Sequence, residues 1–181
     1  MRVYLFLIAL VSSAMATEQA FPPSPVGNPE LKTLPAGLLL RASAVGNYFE
    51  ESNRLFRPLF SYISSHEIAM TTPVEAKIEG AAMSFWVSEG QRAKITASTA
   101  AVEVVEIPQR WVASLGDRGS YSANNFVKTR DRLLAWLGPR KDVEAAGVPY
   151  AVYWNGPLTP GFLKRFEVHI PVRSASQRQS P

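Results

Sequence analysis

Few residues in this chain are equipped for chemistry, and two of them stand almost side by side. Only two histidines occur, His66 and His169, and Glu167 lies two positions before the second. Residues i and i+2 of a strand point to the same face, so Glu167 and His169 share one side. Such a pair suits a ligand and its acidic partner lining a groove. It suits equally a half-exposed polar face, with Phe166, Val168 and Ile170 turned to a core. The sequence has no cysteine, which removes thiolate metal sites, iron–sulfur clusters, covalent c-type haem and a cysteine nucleophile. It has no Gly-x-Ser-x-Gly elbow, His-Glu-x-x-His pair or phosphate loop. The remaining acids, among them Glu50-Glu51, Glu103 and Glu106, follow no motif spacing. This residue chemistry favours binding over catalysis.

The elements that must position these groups begin after an unusual start. Met1-Arg2 is followed by an apolar run from Val3 to Val11 and then by Ala14-Met15-Ala16. That order of charge, apolar run and small-x-small site is that of a cleavable secretory signal over residues 1–16. The run is far shorter than the ~20 residues that span a bilayer. With no cysteine at the junction, a lipid anchor is not expected, so a secreted or periplasmic chain free of the membrane is. The remaining 165 residues suit one domain held by its core alone. Arg2 is the only charged residue in the signal, so the formal charge falls by one from +4. Such a mild excess, without a Lys/Arg cluster, argues against nucleic acid as the main partner and is compatible with an anionic ligand.

Thr17 to Pro29 carries four prolines and reads as an extended leader outside the packed domain. Residues 173–181 read as a loose tail. Between them a unit recurs. Leu34-Pro35 and Ile107-Pro108 are separated by the same interval as Tyr48 and Tyr121, each pair followed by a helical stretch and then by strand-like sequence. Two strand–helix–strand–strand units predict an α+β domain with a pseudo-twofold axis. Ser122 is the expected N-cap of the second helix and Gly138 its C′ residue, with Pro139 as a stop. Pro58 kinks the first helix or marks its start.

The stretch from Phe56 to Val74, a helix ending Leu-Phe-Ser-Tyr-Ile, a short loop and then Ile-Ala-Met-Thr-Thr-Pro-Val, resembles the SOUL haem-binding family. The resemblance continues through Met83-Ser-Phe-Trp-Val, Val112 to Gly119 and Phe166-Glu-Val-His-Ile-Pro-Val172, and so covers about residues 30–172. The loop between Tyr62 and Ile68 is shorter than in many relatives and lacks their Gly-x-Asn element. The family implies a distorted antiparallel barrel flanked by two helices. It also implies binding of haem or a related porphyrin, a cofactor that asks for an apolar slot, cations for its propionates and, optionally, an axial ligand.

On the family's haem surface, Phe56, Leu59, Phe60 and Ile63 become candidates for one wall, although the same stripe would also serve to pack the helix on the sheet. Arg54 and Arg57 become candidate propionate partners, and His66 the preferred axial ligand; Met70 is a second sulfur or packing candidate. The chain also resembles the effector-binding domains of GyrI-like regulators, in which an acidic residue of the last strand reaches the ligand groove. Glu167 stands at that position, with His169 beside it. That superfamily includes hydrolases, so a carboxylate chemistry using Glu167 with Trp86, Tyr153 or Trp154 is the alternative.

Overall fold

The computed structural model describes residues 17–156 and 158–176. The expected signal, residues 1–16, lies outside the described residues. The chain folds as β1 (Glu30–Leu34), β2 (Gly37–Ser43), α1 (Tyr48–Ser65), β3 (Val74–Lys77), β4 (Ala82–Val87), β5 (Glu103–Ile107), β6 (Arg110–Arg118), α2 (Ala123–Leu137), β7 (Val143–Ala145), β8 (Tyr150–Tyr153) and β9 (Arg165–Ser174). The strands make one antiparallel sheet in the order β1-β6-β9-β8-β3-β4-β2-β5, with β7 added to β9. It is curled into a half-barrel rather than closed, since β1 and β5 remain as its two ends.

The order reads symmetrically outward from the β3–β8 pair, so the expected pseudo-twofold axis passes between those strands. Each repeat opens with two strands, however, and not one. Pro35 and Pro108 offer no amide hydrogen to a ladder and break the chain there. The piece before each break then crosses to the other half: β1 pairs with β6 and β5 with β2. The halves are therefore interlocked. Pro73 similarly delays the strand after α1, so that β3 begins only at Val74.

Both helices lie on one side of the sheet, α1 on β2 and β4, α2 on β6, β7 and β9. Asn47 caps α1 by accepting the Phe49 amide at 3.0 Å, and Glu50 and Glu51 sit where the positive end of the helix dipole favours acids. Pro58 lies within α1 and does not start it. Tyr48, Leu55, Leu59, Tyr62 and Ile63 recur at helical spacing and are buried against the sheet. Ser122 caps α2 as expected. Gly138 ends it with φ of −53°, still right-handed, so the expected left-handed C′ turn is absent and Pro139 does the stopping.

The main core lies between helices and sheet, and a second cluster of Phe21, Leu34, Leu39, Trp86, Val112, Tyr150, Val152 and Trp154 lies on the other face. Phe21 corrects the expectation for residues 17–29. The leader is extended but packed, with Phe21 and Ser24 buried and the Ala20 and Gly27 amides donating hydrogen bonds to the Thr72 and Gly116 carbonyls at 2.8 and 2.9 Å. An apolar ring followed by prolines can lie on a sheet face without completing a ladder, which the proline count alone does not reveal. The tail is also shorter than expected, because Arg173 and Ser174 continue β9 against β7.

Candidate functional site

The register of β3, β8, β9 and β6 decides where the polar residues go. Glu75 faces Val152, which faces Glu167, which faces Gly116; Tyr150 faces His169, which faces Ser114. Opposed residues share a face, so Glu75, Tyr150, Glu167, His169 and Ser114 all point away from the helices. Glu167 and His169 are completely buried there. Neither sequence alternative holds: the pair is not half-exposed, and it does not line an open groove, because the leader covers it.

Glu167 accepts the Ser24 amide at 2.6 Å through one oxygen. Its other oxygen accepts His169 Nε2 at 2.8 Å, the Ser114 hydroxyl at 3.1 Å and Lys32 Nζ at 3.4 Å. A carboxylate can only accept, so the His169 proton sits on Nε2 and Nδ1 takes the Tyr150 hydroxyl at 3.3 Å. Burial opposes ionisation of Glu167, but the hydrogen bond from His169, the Lys32 ammonium and the Ser24 amide outweigh it and bring the carboxyl down to about 2. Burial lowers His169 below its ordinary 6.5 despite Glu167, so the imidazole is neutral at physiological pH. A little further along the same face, Glu75 accepts Trp86 Nε1 at 3.1 Å and Arg110 at 2.6 and 3.3 Å.

The helix side holds a different kind of site. A cavity of about 340 Å³ opens between α1, the loop before β3 and the loop before β9, walled by Tyr48, Phe56, Met70, Val74, Met83, Tyr121 and Tyr153, with Lys164 at its edge. Tyr48 and Tyr121, the repeat-related pair, enter it from the two halves. Tyr121 stacks on Tyr153, centroids 4.0 Å apart, and Lys164 Nζ lies 4.8 Å from the Tyr121 ring centroid. The Tyr153 hydroxyl is buried without a partner among the described residues. Burial pushes the Tyr121 phenol up to about 12 and Tyr48 and Tyr153 higher still, so the walls carry no charge.

Of the sequence candidates for the haem surface, Phe56 and Met70 border this cavity, as does Tyr153 from the alternative hydrolase set. Phe60 is half-exposed and stacks on Phe56 at 5.4 Å, extending the apolar surface outward. Leu59 and Ile63 are buried in the core and offer no surface to a ligand, since their positions on α1 face the sheet. Arg54 is exposed and paired with Glu51, and Arg57 is exposed beside Phe60. His66 lies ten residues beyond Phe56, about 15 Å along the helix axis at the usual rise. It stacks on Tyr62 at 4.3 Å, with Nδ1 at 2.8 Å from the Tyr62 carbonyl and Nε2 at 3.1 Å from the Thr96 hydroxyl. Sequence reasoning missed Tyr48, Tyr121 and Lys164; the tyrosines stood out in the repeat, where their equal spacing was a usable signal. Among the described residues no cluster of three or more His, Cys, Asp or Glu could hold a bare metal ion, and no helix is long and apolar enough to cross a membrane.

The family model for SOUL heme-binding protein matches residues 24–171. No curated protein matches. Among solved structures, EcmrR in its complex with DNA superposes with a TM-score of 0.65 at 13% identity, over 81% of this chain and 57% of that one. The chain thus spans little more than half of that protein. A hydrolase encoded by lin2189 from Listeria innocua gives 0.52 at 13% identity, covering 83% and 94%. SAV2435 bound to tetraphenylphosphonium gives 0.50 at 8% identity, covering 84% and 98%. At such identities these likenesses establish the fold.

Proposed function

The chain belongs to the SOUL heme-binding protein family, and from that premise we propose that it binds haem or a related tetrapyrrole without catalysis, in the helix-side slot. The observation that carries the proposal is the slot itself: neutral aromatic and thioether walls with one cation, Lys164, at the edge. That donor set fits a flat apolar ring bearing carboxylates. Its volume is at the small end for ligand pockets, so a porphyrin would keep one edge in solvent, against the exposed Phe60. When bound, haem would supply an iron that takes a thioether or an imidazole as ligand. Met70 would offer the sulfur, Lys164 would hold a propionate, and the Tyr153 hydroxyl would find an acceptor. His66, with Thr96 against Nε2 and a position beyond the slot, has no axial role in this reading, and buried His169 has none.

Hydrolysis by Glu167 finds less support. Both its oxygens are occupied by donors, and Tyr153 points to the opposite face of the sheet. Hemin titration followed by absorbance tests the proposal: a saturable one-to-one Soret shift is expected, unaltered in His66→Ala and displaced in Met70→Leu. A flat titration ends it.

A further inference from the structure

The face opposite the proposed haem slot has an unexplained arrangement of its own, and its explanation stands or falls separately. We infer that residues 18–27 are a displaceable strap over a second binding site, which takes a flat aromatic molecule carrying an oxyanion.

The strap behaves as a docked ligand. The Phe21 ring meets Trp86 and Trp154 edge-on, both at 5.5 Å, and is almost wholly buried. Directly after it come carbonyl oxygens that serve as acceptors for cations: Pro22 for Lys32 Nζ at 2.9 Å and Ser24 for Arg165. An aromatic ring followed by oxygen acceptors is therefore what this face recognises.

The fit is incomplete, and always in the same sense. Among the described residues, Trp154 Nε1 and Arg165 Nε are buried without partners at the strap, and Arg110 Nε is likewise unpaired beside Trp86. All three are N–H donors, and an unmet buried donor is costly. Lys32 is paired with Glu167 at 3.4 Å and Glu30 at 3.9 Å, and Arg110 with Glu75, whereas Arg165 donates to a carbonyl of the strap itself, Ser24, which leaves with the strap. The face lacks acceptor oxygens, and a carboxylate, sulfonate or phosphate would supply them.

The strap is held at Phe21 and Ser24 rather than along a continuous ladder. Around Phe21 and Ser24 its other residues are mostly exposed, and its backbone joins the sheet through isolated bridges at Thr72 and Gly116. Its passage depends on Gly116, where a Cβ would stand 2.8 Å from the carbonyl oxygens of Ser24 and Pro25. Beside the covered site, Arg110 and Tyr150 line an open cavity of about 460 Å³, which gives a ligand an approach.

A covered site binds with an affinity reduced by its open fraction, so releasing the strap should tighten binding. Gly116→Ala does this while leaving every side chain of the site in place, and Phe21→Ser is a second route if that variant fails to fold. With 2-naphthoate as the probe, either variant is expected to bind at least tenfold more tightly than the unaltered chain, with quenching of tryptophan fluorescence. Arg165→Met on either background should remove the gain. In the unaltered chain, saturating 2-naphthoate should speed hydrogen exchange at the Ala20, Ser24 and Gly27 amides while β6 and β9 stay protected. Equal affinity in all forms, unchanged exchange at those amides, or a preference for 2-naphthylmethylammonium over 2-naphthoate would each overturn the inference.

Discussion

At the end of β8, Tyr153 and Trp154 are adjacent in sequence and look into opposite environments. Tyr153 borders an open slot whose walls are neutral and whose one cation stays at the edge. Trp154 lies beneath the chain's own leader, on the face that carries the buried network of Glu167, Lys32 and His169. Each carries a buried polar atom without a partner, but the reasons differ. On the helix side the missing partner is one a ligand could provide directly, since the slot is open. On the other face a ligand must first displace Phe21 and Ser24. One sheet thus offers a receptive surface and a closed one, and the leader makes the difference.

Breaking the charge network should have the largest effect. Glu167→Ala would leave His169 Nε2 and the Ser24 amide without their acceptor and take from Lys32 its buried carboxylate, and urea denaturation should show a loss of about 3–5 kcal/mol, the usual cost of breaking a buried ion pair. At the slot, Lys164→Ala should change stability by no more than ~0.5 kcal/mol while weakening hemin binding. Next comes Phe21→Ala, expected to cost about 3 kcal/mol because the ring is buried among tryptophans. The same truncation at half-exposed Phe60 should cost far less.

Acid should act on the closed face first. His169 binds its proton less readily folded than unfolded, so stability falls as pH drops below 6.5. Glu167, lowered from 4.5 to about 2, contributes stability that is present above 4.5 and lost as pH falls toward 2. Denaturation midpoints across pH 7 to 3 should show both stages, and Glu167→Gln should remove the second. The smallest effect is expected for Tyr153→Phe. Its hydroxyl has no partner to lose, so stability should shift by less than ~1 kcal/mol in either direction, and calorimetry can resolve the sign.

The architecture was legible where periodicity and punctuation agreed. Both helices, the Ser122 cap and the twofold repeat followed from spacing that only such elements bury well. The interlocked first strands were not legible, because Pro35 marks a break without naming the strand on the far side. The candidate site was legible in part. Phe56 and the parity of Glu167 with His169 could be read, but which face the parity selects depends on pairing with β6 and β8. Leu59 and Ile63 share the apolar stripe of α1 with Phe56, and only packing separates wall from core. The leader was hidden for a simpler reason: a single phenylalanine among prolines has no period.

A tetrapyrrole seated in the helix-side slot must pass the mouth of the cavity beside α1. Asn53 is exposed at the slot's lining on α1, so Asn53→Trp would fill the cavity mouth without entering the core. Hemin titration of this variant beside the unaltered chain should show at least tenfold weaker binding, with the folded spectrum intact. Equal affinity, with the same Soret maximum, would place the ligand elsewhere and contradict the account.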